Sequence, residues 1–426
     1  MRSHWNSPAV LVYSRILSTV LMVVVATILA RELGPEGRGV TASLFALQAL
    51  IPGLLSLGLP LAIRRRVRDG NVNADVGGAV VVALASVPLV LGVAFAATGF
   101  FAGFLNSNEQ VLVFVLFSLI PLSTLNRVLE QVLIGREQYR RQALATLSQS
   151  VGMLGALVVA SLVSPITLSV AFLVQLCGLV VFWVTTWLLA AVVPHLGIRR
   201  ELYREGLTYA PRDIVHSVRE RIDQFIALPL IGASGAGLYS VAVMVGTLPT
   251  VVAHAVGVSA FSAAQSSADS EKPQVMANFV RASFALTLGA SVVIAGVTPW
   301  LLPLVFGEEF RGSVIPTFVF LSLYSLGLAI RLVATGVLNT SRRGVEISLA
   351  EASGFSVGLV LALMMGPALG PLGLALSWSI DQVLTAVLLL WRTEVRWRLL
   401  RTPLPRSVWH RIVRGSEKSD PPPLTD

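Results

Sequence analysis

The chain is a near-continuous series of long apolar runs, and this constrains it more than any motif does. About 20 apolar residues cross a bilayer as a helix, a length that a soluble core seldom requires. Twelve runs reach it, at roughly 9–30, 39–62, 76–101, 111–134, 143–163, 165–190, 209–231, 238–262, 277–302, 314–338, 346–366 and 372–391. Hydrocarbon offers backbone amides no water, so runs of this length satisfy their hydrogen bonds as helices. Composition agrees: of 426 residues, 54% are hydrophobic and 13% charged, against roughly 25% charged in a soluble domain. The expected fold is an all-α polytopic membrane protein. The first run is too long for a signal-peptide core and lacks a convincing small-residue cleavage site, so it reads as a retained helix.

A net charge of +9 reads as topology rather than nucleic-acid binding. Basic residues crowd alternate connections: Arg64, Arg65, Arg66 and Arg68; Arg136, Arg140 and Arg141; Arg199, Arg200 and Arg204; Arg342 and Arg343; and the C-terminal tail. The intervening connections hold only Arg31, Arg38 and Arg311. The positive-inside rule then places both termini in the cytoplasm, with the chain in the cell (inner or plasma) membrane. The tail from Arg392 mixes arginine with Trp397, Leu399, Leu400, Trp409 and Ile412 before Asp420-Pro421-Pro422-Pro423. It reads as a segment lying on anionic membrane lipid, followed by disorder. The single cysteine, Cys177, provides neither a disulfide framework nor a cysteine-based metal site. No cofactor or metal is expected.

Connections are short, and one glycine-rich stretch occurs twice. "LGPEGRGV" at 33–40 parallels "IGASGAGLY" at 231–239, with Gly34, Gly37 and Gly39 matching Gly232, Gly235 and Gly237. A weaker match relates 131–160 to 336–365 at a similar offset. The repeat divides the chain into an N-terminal lobe (1–193), a C-terminal lobe (194–391) and the basic tail (392–426). Six spans is an even number, so both halves cross in the same sense, and a pseudo-twofold axis along the membrane normal is expected. Each glycine stretch reads as an external hairpin turn, where a left-handed residue ends a helix. A phosphate-binding loop is disfavoured, because no strand precedes the glycines and no Lys-Ser/Thr follows them.

Ionisable residues inside spans are costly and mark pathways or pairs. Span seven is the richest: Arg212, His216, Arg219 and Asp223 form a stripe about 60° wide at 100° per residue, flanked by Asp213 and Glu220, with Arg221 opposite. Such a stripe must line water or protein, and Arg219 and Asp223 are spaced to pair. Elsewhere Arg127 shares a face with Ser123, Glu130 and Gln131; Arg15 with Ser18 and Thr19; Arg331 with Tyr324 and Thr335; Asp381 with Trp378 and Thr385. Arg15, Arg127, Arg331 and Glu351 lie roughly 8–12 Å from the cytoplasmic end of their spans at 1.5 Å per residue. Arginine forks bind phosphate in bidentate fashion. Arg15, Arg127, Arg212, His216, Arg219 and Arg331 are therefore candidate substrate-cavity residues. Glu130, Asp223, Glu351 and Asp381 are candidates for charge pairing or for coupling to H+ or Na+.

The stretch 14–65, with its "LGPEGRG" turn, resembles the start of polysaccharide and oligosaccharide flippases, in the multidrug/oligosaccharidyl-lipid/polysaccharide exporter superfamily. Residues 221–242 look like the seventh and eighth spans of these proteins, and "LLPLVFGEEFRGS" (301–313) like the connection after their ninth. The resemblance implies two six-helix lobes and a non-enzymatic, alternating-access carrier for an undecaprenyl-pyrophosphate oligosaccharide in surface polysaccharide export, with polysaccharide-assembly proteins as partners. Lipid II flippases of that superfamily also carry a first-span arginine, and Arg15 sits similarly; they commonly have fourteen spans rather than twelve. A multidrug exporter of the same superfamily is the rival, disfavoured by a first half in which Glu130 is the only deep acid against Arg15 and Arg127. A membrane glycosyltransferase or polymerase would need longer external loops, and "AIRRRVRDG" does not supply a major-facilitator signature.

Overall fold

The computed structural model describes residues 8–67, 70–340 and 344–392. Among these the chain is helical, with no strand. Fifteen α-helices follow in order: α1 (Pro8–Leu55), α2 (Leu59–Arg66), α3 (Val72–Ala85), α4 (Val87–Phe101), α5 (Ser107–Ser118), α6 (Ile120–Gly135), α7 (Tyr139–Val163), α8 (Leu168–Ala190), α9 (Arg200–Gly246), α10 (Thr250–Gln265), α11 (Lys272–Phe306), α12 (Val314–Val319), α13 (Ser325–Thr340), α14 (Gly344–Leu369) and α15 (Pro371–Arg392). Ten stretches of the described residues are long and apolar enough to cross a membrane. Together with two shorter apolar helices, Val72–Ala85 and Thr250–Gln265, they cover the twelve expected spans: α1 holds the first two, 213–246 holds the seventh with the start of the eighth, and the shorter helices complete the third and eighth. The basic tail lies outside the described residues.

The breaks between spans differ from expectation and have local causes. Spans one and two are joined by one residue, not by a loop over 31–38: α1 is broken at Gly34 (φ 65°), and the helix resumes at Pro35. Proline suits the first helical position because its missing N–H needs no partner there. Likewise α9 is broken only at Gly232 (φ 73°). Gly37, Gly39, Gly235 and Gly237, expected in the turns, are helical. Span two instead ends at Leu57 and Gly58, both in the left-handed region (φ 48° and 71°). Span eight divides between Gly246 and Thr250, and span ten contains a π-helical turn at Phe320–Tyr324. The start of α5 carries a reciprocal cap: Asn106 accepts from the Glu109 amide and Glu109 accepts from the Asn106 amide, satisfying two donors that a helix start leaves open.

The described residues pack into two compact units, one within 1–240 plus 305–309, the other within 241–304 plus 310–426. The core of the first gathers Leu59, Ile63, Val76, Leu129, Val132 and Leu133 from α2, α3 and α6. The core of the second gathers Val256, Phe279, Val333, Val337 and Leu389 from α10, α11, α13 and α15. Large apolar side chains also point outward, as at Phe95 (79% exposed) and Leu162 (82%). Exposed apolar surface on this scale is the signature of a lipid-facing exterior.

Candidate substrate site and the helix seam

In the first unit the site is built on a seam between the second arm of α1, continued by α2, and α9. Ser43 donates to the Gln224 carbonyl (2.8 Å). Ser56 donates to the Asp213 carboxylate (2.7 Å). Gly53 lies against Ser217, and Gly58 against the backbone of Gly206 and Ala210. Residue numbers rise on one helix as they fall on the other, so the two run antiparallel. A Cβ on Gly39 would overlap the Ala233 carbonyl oxygen and come 2.8 Å from the Gly237 nitrogen; one on Gly237 would overlap the Pro35 carbonyl oxygen. The two copies of the glycine repeat therefore pack on each other. Only glycine permits that approach, in the manner of small-residue interfaces between membrane helices. From Gly39 to Gly58 the seam runs about 28 Å at 1.5 Å per residue, close to the ~30 Å thickness of a hydrocarbon core.

Charges cluster at one end of this seam. Arg127 on α6 pairs with Asp213 at 3.3 Å, so the carboxylate that the sequence placed on the flank of the stripe joins α1, α6 and α9. Glu130, one turn further along α6, accepts from Gln142 on α7 (2.7 Å). Nearby, Arg66 pairs with the buried Asp75 at 3.2 Å and reaches Glu205 at 3.5 Å. The stripe itself is divided: Arg219 and Asp223 are half-buried, whereas His216 and the flanking Glu220 are exposed. His216 and Glu220 sit 3.4 Å apart and more than half exposed. Asp223 accepts from the buried Tyr239 hydroxyl (3.0 Å), which ties α9 across its own break at Gly232. The side chain of Arg212 lies outside the described residues. Arg15 is exposed on α1, beside the Ser18–Ser150 hydrogen bond that links α1 to α7.

The second unit brings together Arg331, Glu351 and Asp381. Arg331 on α13 lies 3.6 Å from Glu351 on α14 and donates to Gln382 on α15 at 2.6 Å. Gln382 in turn donates to Asp381 (2.9 Å), which also accepts from Thr385 (3.3 Å). Asp381 is fully buried. The space for it comes from α14, where a Cβ on Gly354 would overlap the Thr385 hydroxyl and one on Gly358 would come 2.7 Å from the Asp381 Cβ. Arg331 and Glu351 border a cleft of about 290 Å³, also lined by His254, Phe261, Thr335 and Asn339.

Sequence reasoning anticipated ion pairing inside the membrane, but it did not identify the partners. It missed Ser43, Ser56, Gln142, Tyr239 and Gln382, which carry the connections. The Gly354/Gly358 spacing, small residues four apart, is a signal that could have located the α14–α15 contact.

These observations define a polytopic all-α membrane protein whose described residues form two compact units. The profile of a family described as polysaccharide biosynthesis protein matches residues 5–262, more than half of the chain. The chain belongs to that family. No curated protein matches it. Among solved structures, a multidrug-resistance MATE family transporter in an inward-facing conformation superposes with a TM-score of 0.66 at 16% identity, covering 93% of this chain and 96% of that one. The lipid II flippase MurJ, in an inward closed conformation, gives 0.66 at 11% identity, covering 94% and 89%. A transporter of the same superfamily from Pyrococcus furiosus, reported with a binding pocket of reversed polarity, gives 0.60 at 16% identity, covering 93% and 96%. At these identities the likeness is one of fold.

Proposed function

We propose that the protein is a non-enzymatic flippase that carries a lipid-linked oligosaccharide, of the undecaprenyl-pyrophosphate kind, from the cytoplasmic to the outer leaflet for surface polysaccharide export. The observation that carries the reading is the small-residue seam. A lipid-tethered sugar must pass its head group through the protein while its tail remains in hydrocarbon, which requires a slot between helices rather than a closed pore. Helices joined by glycine and serine contacts separate without dismantling an interdigitated core, so such a seam can open as a slot. Family membership supports the saccharide as cargo. In this reading Arg15, Arg127, Arg212, His216 and Arg219 bind the pyrophosphate, and Arg331 contributes to binding the sugars. Glu130, Asp223, Glu351 and Asp381 hold those cations or couple transport to H+ or Na+.

A strain lacking the gene should accumulate lipid-linked oligosaccharide in the cytoplasmic leaflet, and Arg219→Glu, inserted normally, should fail to restore export. Restored export would remove the span-seven stripe from the site. The second reading, a multidrug exporter, is favoured by the fold likeness to multidrug-resistance transporters. It would win if the same strain showed drug sensitivity with no accumulated intermediate.

A further inference from the structure

The cleft of the second unit has an unusual charge arrangement for a protein with so many arginines. Its one arginine, Arg331, is 14% exposed and is already engaged by Glu351 and Gln382. An anion entering here would meet the Glu351 carboxylate, and a cation would meet the Arg331 guanidinium. The pair therefore presents donors and an acceptor with no net charge. The Thr335 hydroxyl, also in the lining, is buried and has no hydrogen-bond partner in the protein. A buried hydroxyl without a partner carries a desolvation cost that a ligand can relieve. Asn339 adds an exposed amide. On α10, Phe261 and Val258, 38% and 59% exposed, complete the lining.

An exposed phenylalanine lining the same cleft as neutral or mutually neutralised polar groups matches one ligand chemistry well. A sugar ring has an apolar C–H face and a rim of hydroxyls that both donate and accept. The volume of about 290 Å³ is at the small end of ligand sites, about 300–1,000 Å³, which is room for one or two rings. Resting on the flippase reading, we infer that this cleft, framed by α10, α13 and α14, is a subsite for an uncharged sugar unit of the cargo. Its phosphates bind elsewhere. Phe261 stacks on the ring, Thr335 and Asn339 hydrogen-bond its hydroxyls, and the Asp381–Gln382 relay behind Arg331 holds the guanidinium in place.

Saturation-transfer NMR on the purified full chain in nanodiscs tests this, with methyl glucoside and methyl N-acetylglucosaminide as probes and inorganic pyrophosphate and tetraphenylphosphonium as charged controls. The glycosides should show transfer from the protein. Thr335→Val keeps the side-chain shape and removes a buried hydroxyl that bonds to nothing in the protein, so the variant should resist thermal unfolding at least as well as wild type and bind glycosides about fivefold more weakly, the effect of one hydrogen bond. Phe261→Ala should weaken it about tenfold, the larger loss expected for an aromatic contact. Absent glycoside transfer, transfer insensitive to both variants, or a charged control displaced by these variants would each overturn the subsite. The function reading fails separately. A chain that flips lipid-linked oligosaccharide in vesicles at a rate untouched by both variants keeps the function and loses the subsite. A chain that binds glycosides here but flips nothing keeps the subsite and loses the function.

Discussion

The two units each bury a carboxylate where helices approach through glycine, but they do it differently. In the first, Asp213 is 23% exposed and holds an arginine directly, with Ser56 as its second donor. In the second, Asp381 is fully buried and is linked to Arg331 through the neutral Gln382. The obstacle behind each glycine also differs. At Gly39 it is backbone, the Ala233 carbonyl, whereas at Gly354 it is the end of the Thr385 side chain. The first unit thus uses backbone contact and an ion pair at a seam, and the second uses a sealed, side-chain-mediated relay. A charge that joins helices near solvent tolerates direct pairing; a fully buried one is better satisfied by dipoles that bring no second charge into the interior.

The largest expected effect separates the two glycines. Gly39→Ala should destabilise by about 3 kcal/mol or more, because a carbonyl cannot rotate away, and Gly354→Ala by about 1–2 kcal/mol, with part recovered in the Gly354→Ala/Thr385→Ala double variant. Thermal unfolding in detergent measures both, and equal losses would erase the distinction. The acids come next. Asp213→Asn leaves Arg127 without its ion-pair partner and should cost about 1–3 kcal/mol. Asp381→Asn removes a buried charge while keeping its shape, and should stay within about 1 kcal/mol of wild type. The reverse order would show that the relay, not the seam, depends on charge.

A smaller contrast concerns the two breaks. Alanine at Gly34 or Gly232 meets the same positive-φ backbone with ψ near 180°, a region essentially confined to glycine, at a strain of about 1–3 kcal/mol. At Gly34 it would also press on the Glu309 carboxylate at 3.2 Å, while at Gly232 it meets open space. Gly34→Ala should therefore be the worse of the two in the same assay. The smallest effect is a matter of pH. Lys272 lies 2.6 Å from Asp269 and holds that exposed carboxyl below its ordinary value. A depressed carboxyl adds stability above its unfolded pKa of about 3.9, and that stability is lost as pH falls through the folded value. Lys272→Met should thus lower the unfolding temperature slightly at neutral pH, and by less in acid, as the pair's share is lost when pH falls through the folded value while the Lys272 contact with the Thr340 carbonyl (3.4 Å) remains independent of pH. A difference of the same size at all pH values would assign the contact to packing.

Much of this was legible in the chain itself. Apolar length alone determined that the protein is helical and crosses the membrane: only helices and closed barrels satisfy amides in hydrocarbon, and barrel strands are segments of about 10 residues that alternate rather than long continuous apolar runs. The paired glycine stretches at 34–39 and 232–237 marked two equivalent breaks, each at the first glycine of its stretch. Helical periodicity placed Arg331 with Thr335 on one face, and both line the same cleft. What periodicity cannot supply is which helix a face meets. Asp213 looked like a flank of the span-seven stripe, yet α1 packs on that flank, so Asp213 makes the ion pair while His216 and Glu220 stay exposed. Gly37 and Gly39 looked like turn residues, yet one positive-φ glycine followed by proline is enough to break the helix, which frees the others to serve as contact surface. The sequence determines each helix and its faces, because those depend on local spacing. Tertiary structure decided the pairings, because they depend on how closely two backbones approach.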